Sequence, residues 1–500
     1  MFATNPNDSQ LDLFSAPTEF MNRRQLNLYE NEKSWFNLFY KNVFLKIDET
    51  IFKHLYCAGF GAPNAPVNVL VCMQQLKEGL GWSDQQLEEA MQFNLVVRKA
   101  LGFMNINDPV PAMSTFYEFR AKVNRYNQET GRHLMQEAFH DLSRKYVELL
   151  EMSGTSVRMD SKLLDSNIAA MSRYEIVWNT LRQADKSGLL SGLKPKLRKR
   201  LEAILLEEAK QTVYKSNSET LNKKLQTIGQ LVYDILVSLK IQDGKLHRVF
   251  HEQFSVTKGT VSAKDSSEIP ATSVQNPNDT DATYREKDDQ KVKGYSVNVT
   301  ETLPEGEKPS IILDVQIGNA STADNAYTKD AIATAELVTG RKIEYFYSDG
   351  AYASSDFREY AQNQGIVTYF TGLQGKVPRF SLELVGSQLF VTDSRTGEEI
   401  LAEEIKEGKW RIKLIGDNGK HQYVYFGKND IDRSLLRRLH ANIPQEELKK
   451  RNNVEAAMFQ LSFHTRDNQT RYRGLDSNRL MAINRCAWMN FVRVAKYLTA

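Results

Sequence analysis

Three cysteines in 500 residues, Cys57, Cys72 and Cys486, are too few and too scattered for a disulfide framework or a cysteine-built zinc site. They fit a reducing compartment. Also missing is any run of about 18 apolar residues, so no membrane span is expected. The opening MFATNPNDSQLDLFSAPTEF is polar, without a basic region followed by an apolar stretch, so no secretory signal is expected there. No Gly stands five positions before a Gly-Lys pair followed by Ser or Thr, which removes the phosphate-cradling loop of nucleotide-using enzymes. GxSxG and HExxH strings are absent too. A large charge of either sign is lacking as well: 65 Lys and Arg against 62 Asp and Glu leave +3.

What is present is an ordinary globular composition, 41% hydrophobic and 25% charged. A chain of this length exceeds one core and predicts two or three domains. Charge is unevenly placed. Residues 431–500 hold 13 Lys and Arg against 6 Asp and Glu, a local excess of +7 that would attract a polyanion. A solvated basic helix face would read the same.

Residues 1–150 read as an all-helical amino-terminal domain. Trp35, Phe39, Val43, Ile47, Ile51 and Leu55 recur at helical spacing over Ser34 to Tyr56, and Val67 to Lys77 is another helix. Ser83 is the expected N-cap of the next and Ser114 that of STFYEFRAKVNRYN. Short capped helices with Arg120, Lys122 and Arg125 are compatible with a helix-turn-helix DNA reader, and equally with any small bundle.

From 151 to 500 the pattern becomes α/β. TSVRMDSK predicts a buried strand, and two helices with apolar stripes follow (Leu197 to Leu205; Leu221 to Leu239), a helical insertion at about 185–260. A polar connection from Ser262 to Lys293 leads to strands GYSVNVTET and SIILDVQIG. Then come a helix closed by Gly340, the strand IEYFYSDG, another helix, and the strand IVTYFTGL. Short alternating runs predict a small antiparallel β insertion at about 373–440, and the chain returns to helix in IPQEELKKRNNVEAAMFQLSFH and SNRLMAINRCAWMNFVRVAKYL.

In this frame three carboxylates stand out. Asp160 ends the first strand, Asp349 ends a central strand just before Gly350, and Glu455 lies on the helix after the β insertion. Carboxylates from separated segments are what a two-metal phosphoryl-transfer site requires, with hard oxygen donors suited to two Mg²⁺ or Mn²⁺ ions. A lone carboxylate is otherwise a surface charge or cap. Competing acids are Asp165, expected beyond the strand, and Asp279 and Asp281, expected to make turns. His464 and Lys162 could touch a phosphate or simply pack or be solvated.

RMDSKLLDSNIA, YSDGAY and RNNVEAAMFQL followed by RYRGLDSNRL, together with STFYEFR, resemble bacterial insertion-sequence transposases of the DDE class. The resemblance extends over most of the chain. It implies an RNase H-like mixed sheet flanked by helices, with Asp160, Asp349 and Glu455 as catalytic metal ligands. It also implies double-stranded DNA as partner, both terminal inverted repeats and target, a homodimer in the synaptic complex, and a bacterial cytoplasmic, nucleoid-associated location. Arg451, one helical turn before Glu455, matches the family pattern. Leu448 replaces its usual Tyr and Ser462 its usual Lys, so Arg471 and Arg473 are candidates for DNA contacts, with Lys450 and Arg120. The implied chemistry is in-line attack of water at DNA phosphorus to free a 3′-hydroxyl, which then attacks target DNA. Two other readings are a DNA-binding or regulatory protein descended from a transposase that no longer cleaves, and a glycosidase using paired carboxylates, whose activity would survive EDTA.

Overall fold

The structure, a computed structural model, describes residues 1–7, 12, 15–57, 59, 61–287, 290–372, 377–415, 421–452 and 454–500. Parts of several expectations lie outside the described residues: the polar opening at 8–11 and 13–14, the polar connection at 288–289, the β insertion at 373–376 and 416–420, and Asn453 of the third motif.

At the centre of the helical region is Val67–Leu80, buried on every side from Val67 to Glu78, with the polar Asn68, Gln74, Gln75, Lys77 and Glu78 buried along with its apolar residues. Gly81 ends it in the left-handed conformation at φ 69°. Gly79 lets it approach the C-terminal helix Leu475–Thr499: a Cβ there would lie 2.2 Å from Cγ of Trp488. Ser83 caps Asp84–Phe93 through a capping box with Gln86, as expected. Two expectations fail. The helix predicted over Ser34 to Tyr56 stops at Asn42 and continues as short 3₁₀ turns, Phe44–Lys46 and Glu49–Leu55. The cause is tertiary: the Glu49 carboxylate accepts from Val67 N at 2.8 Å and so caps the next helix. Ser114 is not the N-cap, because Met113–Thr130 begins two residues earlier than that cap would have it, with Ala112 in the cap position.

The central sheet has six strands: β1 (Ser156–Asp165), β2 (Thr283–Lys287), β3 (Gln290–Thr302), β4 (Ile312–Asn319), β5 (Tyr345–Asp349) and β6 (Val367–Thr371). β3 pairs antiparallel with β1 on one edge and with β4 and β2 along its length, while β5 is parallel to β1 and β6 parallel to β5. Leaving out β2, the spatial order is β4-β3-β1-β5-β6. β5 and β6 follow the parallel rule of a helix between strands, supplied by Ser355–Gln364. β2 corrects the reading of residues 262–293 as plain connection. Asp165, expected beyond the strand, is its half-buried last residue and accepts from Lys293 N at 2.8 Å.

Between β1 and β2 sits the helical insertion, wider than predicted. It starts at Arg173, where Ser172 and Glu175 form a capping box, and closes with the hairpin Phe254–Thr257 and Thr260–Ala263. Its helices enclose a core of their own around Trp178, Leu201, Ile228, Val232 and Phe250. Between β6 and the helix Gln445–Asn452 lies the β insertion, two three-stranded antiparallel sheets between Phe380 and Gly427. Its predicted end at about 440 is helical, because Lys428–Ala441 folds back onto those strands with Ser434 Oγ accepting from Leu382 N at 2.7 Å. The largest hydrophobic cluster joins the helical region to the sheet: Phe39, Val71, Leu76, Val157, Leu313, Phe346 and Phe491 belong to one core.

Candidate active site

Strand alternation places Arg158, Asp160, Lys162 and Leu164 on one face of β1. That face is covered by the two helical segments Gln445–Asn452 and Val454–Leu461: Leu164 shares a core with Ala457, Met458 and Leu461. β1 and β5 pair only at Ser156↔Tyr345, Val157↔Phe346 and Arg158↔Tyr347. Two residues beyond the last pair on each strand stand Asp160 and Asp349, level with one another where the ladder has ended. Asp349 in turn pairs with Thr371 of β6. Asp160, Asp349 and Thr371 therefore form one rung across three neighbouring parallel strands.

Arg451 lies across this rung. One guanidinium nitrogen donates to Asp160 Oδ2 at 3.2 Å and another to Thr371 Oγ1 at 3.3 Å, while Glu455 Oε1 lies 3.8 Å away as its ion-pair partner. Ser161 N donates to Asp160 Oδ1 at 2.8 Å, and Ala351 N to Asp349 Oδ1 at 2.8 Å. Burial raises the pKa of Asp160, and the nearby Asp349 carboxylate adds to the rise, while Arg451 and the Ser161 amide oppose it. Glu455 differs in being largely solvent-exposed, at 66% of its side chain. Beneath the rung, Tyr352 is fully buried and donates to Asn298 Oδ1 at 2.8 Å. Burial and the charge of Asp160 push its hydroxyl pKa well up, so it stays a neutral donor.

A second layer fixes the helix that carries Arg451. Arg158, 2% exposed, donates through Nε to Glu301 Oε1 at 2.7 Å and through another nitrogen to the Lys450 carbonyl at 2.8 Å. Glu301 is fully buried and takes Arg493 at 2.6 Å on its other oxygen. Thus one carboxylate compensates two guanidinium groups, and one of these tethers the backbone beside Arg451. Sequence reasoning missed Arg158, Glu301, Arg493 and Thr371. The only available signal was parity, since Arg158 and Asp160 share a face of β1.

The other expected residues are dispersed. Lys450 is exposed, bonded to Glu447 at 2.7 Å, with its ammonium 5.8 Å above the Tyr347 ring. Arg471 donates to the carbonyls of Gly81 and Trp82, and Arg473 to that of Asn167 at 2.6 Å; both side chains are otherwise exposed. Arg120 is half-buried over Phe116, far along the chain in Met113–Thr130. Lys162 donates to Ser462 Oγ at 2.8 Å. His464 packs its ring against Gly81, where burial lowers its pKa. Asp279 accepts from Ser166 Oγ, from Tyr295 Oη at 2.7 Å and from Gly474 N at 3.0 Å, a buried knot tying β1 to the RYRG loop. Asp281 accepts from Leu475 N at 3.2 Å.

Asp160, Asp349 and Glu455 fit divalent magnesium or manganese in donor chemistry: three carboxylates from three elements, two of them near enough to repel. Among the described residues no three acidic, His or Cys side chains are grouped closely enough to hold one ion, and the Arg451 guanidinium stands between Asp160 and Glu455. Ions shared by both acids would have to displace that guanidinium.

Comparison with known families adds one finding. The family model described as transposase domain (DUF772) matches residues 29–122, the stretch from the end of the first helix to the middle of Met113–Thr130. No curated protein and no solved structure matches the chain. The match supports a transposase-type function in general and leaves the α/β region, where the carboxylate rung lies, without a counterpart.

Proposed function

We propose that this chain is a DDE transposase with an RNase H-like core, in which Asp160, Asp349 and Glu455 hold two Mg²⁺ or Mn²⁺ ions and carry metal-dependent cleavage and joining of DNA. The observation that supports this most is the rung: Asp160 and Asp349 at equal register beyond the end of the β1–β5 ladder. The strand order β4-β3-β1-β5-β6, with β3 antiparallel to its neighbours and the rest of the β1 side parallel, supports the RNase H-like reading. So do the two helical segments over the rung, with Arg451 near the end of one and Glu455 near the start of the next, 3.8 Å apart as an ion pair.

When bound, the ions supply Lewis-acid stabilisation of phosphoryl charge and a more acidic water. The protein's own residues supply the rest. The Ser161 and Ala351 amides orient the two aspartates by holding one oxygen of each. Arg158 fixes the Lys450 carbonyl, and with it the helical turn that presents Arg451. Once freed from the acids, the Arg451 guanidinium is placed to pair with a phosphate oxygen of the strand being cut. Water attacks phosphorus, the 3′-oxygen leaves and takes a proton, and the resulting 3′-hydroxyl is the nucleophile for joining. DNA partners would be the element's terminal repeats and a target duplex, with two copies of the chain pairing the ends. The test is direct: the protein with a duplex carrying the element's ends and Mn²⁺ should give nicks with 3′-hydroxyl termini. A duplex that is shifted in a gel and never nicked would instead support the binding-only reading.

A further inference from the structure

Two residues past Asp160 on the same face of β1, Lys162 carries a charge that no acid answers. Its side chain is half-buried, and its ammonium donates to Ser462 Oγ at 2.8 Å. The Ser462 hydroxyl is itself engaged, donating to the Phe459 carbonyl at 2.8 Å, so it meets Lys162 with a lone pair. An ammonium has three N–H donors. Among the described residues Ser462 is the one side-chain partner of Lys162, and no ion pair accompanies it. Burial lowers the Lys162 pKa, and no carboxylate offsets that. The guanidinium groups around the acids are compensated, Arg451 by Asp160 and Glu455 and Arg158 by Glu301. A solvated lysine extends into water. This one is held against a hydroxyl of the turn after Val454–Leu461, which fixes the charge in place and leaves two donors open. A positioned cation with open donors and no counter-charge, on the face that carries Asp160, is the chemistry of a phosphate site.

We propose that Lys162, propped on Ser462, holds the DNA phosphate adjoining the one that is cut. Two residues along a strand span about 6.6 Å, close to the separation of neighbouring phosphates in one DNA strand. The Asp160 carboxylate does not raise the Lys162 pKa, so the ammonium stands clear of the acids and meets a neighbouring phosphate, not the scissile one. Contacts to phosphates fix the register of DNA on a protein, and this one would set the strand a single nucleotide from the metal ligands. The proposal rests on the transposase reading and names a substrate contact of the same site.

The experiment uses the full chain. Nicking of a duplex carrying the element's end, with Mn²⁺, first maps the cut. Binding is then measured with Ca²⁺ in place of Mg²⁺, on that duplex and on copies with one neutral methylphosphonate in the cut strand, at the cut or on either side of it. Lys162→Gln should weaken binding of the unmodified duplex roughly tenfold, the scale of one charge-assisted hydrogen bond. The slope of log affinity against log salt should shrink by about 0.9, the share of one phosphate. Wild type should lose a similar factor when one adjoining phosphate is neutral. Lys162→Gln should lose nothing more at that position while still responding at the cut. Lys162→Arg should keep most of the affinity, and Ser462→Ala, with the charge kept and the prop removed, should fall between. Melting curves check folding, and should Lys162→Gln fail to fold, the same comparison on Ser462→Ala decides. Losses that multiply at all three positions, or an unchanged affinity and salt slope in Lys162→Gln, overturn the proposal. If wild type nicks in that case, the transposase reading stands without the Lys162 contact. A wild type that neither nicks nor binds the end duplex removes both.

Discussion

The buried triad Arg158–Glu301–Arg493 sets a quantitative test of how the active-site helix is held. In Glu301→Gln the side chain keeps its shape and loses its charge, leaving two guanidinium groups, one of them 2% exposed, facing a neutral amide. Breaking a buried ion pair by removing one partner typically costs about 3–5 kcal/mol. At about 2–4 °C per kcal/mol for a domain of this size class, the melting temperature should fall by roughly 6–20 °C. The loss has a functional reading as well. Arg158 spans Glu301 and the Lys450 carbonyl, so a slackened Arg158 lets the turn bearing Arg451 drift, and Mn²⁺-dependent nicking well below the melting point should drop more than DNA binding does. The companion variant replaces all three, Arg158→Met/Glu301→Leu/Arg493→Met. Removing every charge together avoids an uncompensated one, so it should melt above the single variant while remaining poor in nicking, because the Lys450 tether is gone. Differential scanning calorimetry read beside a nicking assay decides. A Glu301→Gln protein melting within 2 °C of wild type, or a triple variant less stable than the single, would refute the reasoning.

Four further expectations are more compact. Asp349→Asn should reduce nicking to background while leaving affinity for the end duplex within about twofold; full cleavage by that variant removes Asp349 from the site. EDTA should abolish nicking and excess Mn²⁺ restore it, whereas activity that survives chelation would favour the glycosidase reading. Arg451→Ala removes the charge that holds the Asp160 pKa down against burial and Asp349. In the metal-free protein Asp160 would then deprotonate at higher pH, read from its carboxyl carbon shift in an NMR titration; a downward or absent shift counts against the pairing. Gly81→Ala puts a Cβ 2.2 Å from the His464 ring at a φ of 69° and should destabilise by about 1–3 kcal/mol, seen as a lower urea midpoint at unchanged slope.

How much of this was legible in the sequence follows the range of the interactions. Alternation and turn residues placed β1 and β3 to β6, since those signals are local, while the bounds of the two insertions differ from those expected. Asp349 was found because a strand end before Gly is a local feature too, whereas Asp160, expected to end the first strand, lies in the middle of β1, which pairing with β3 extends to Asp165. The equal register of the two acids was not legible, nor was the Arg451 bridge, because both depend on which strands become neighbours. Glu301 is invisible for the same reason: inside VNVTET it reads as an alternating strand position, and only the paired strand supplies Arg158 opposite it. The break after Asn42 was missed because helical spacing continues through Val43 and Ile47, while Glu49 is claimed by a helix end eighteen residues on. Arg471 was read as a candidate DNA contact, and the sequence shows its charge and not the two carbonyls that collect it.

Those carbonyls matter beyond bookkeeping of partners. They belong to Gly81 and Trp82, inside the stretch matched by the transposase domain model, and Arg471 belongs to the loop just ahead of the C-terminal helix. With Trp488 laid on Gly79 and His464 on Gly81, the helical region is clasped to the carboxyl end of the chain at three adjoining points. A clasp of this kind acts as a fixed ruler. If the helical region holds DNA, as the proposed function requires, that DNA would sit at a distance from the acids set by these packed contacts and not by the sway of a tethered reader.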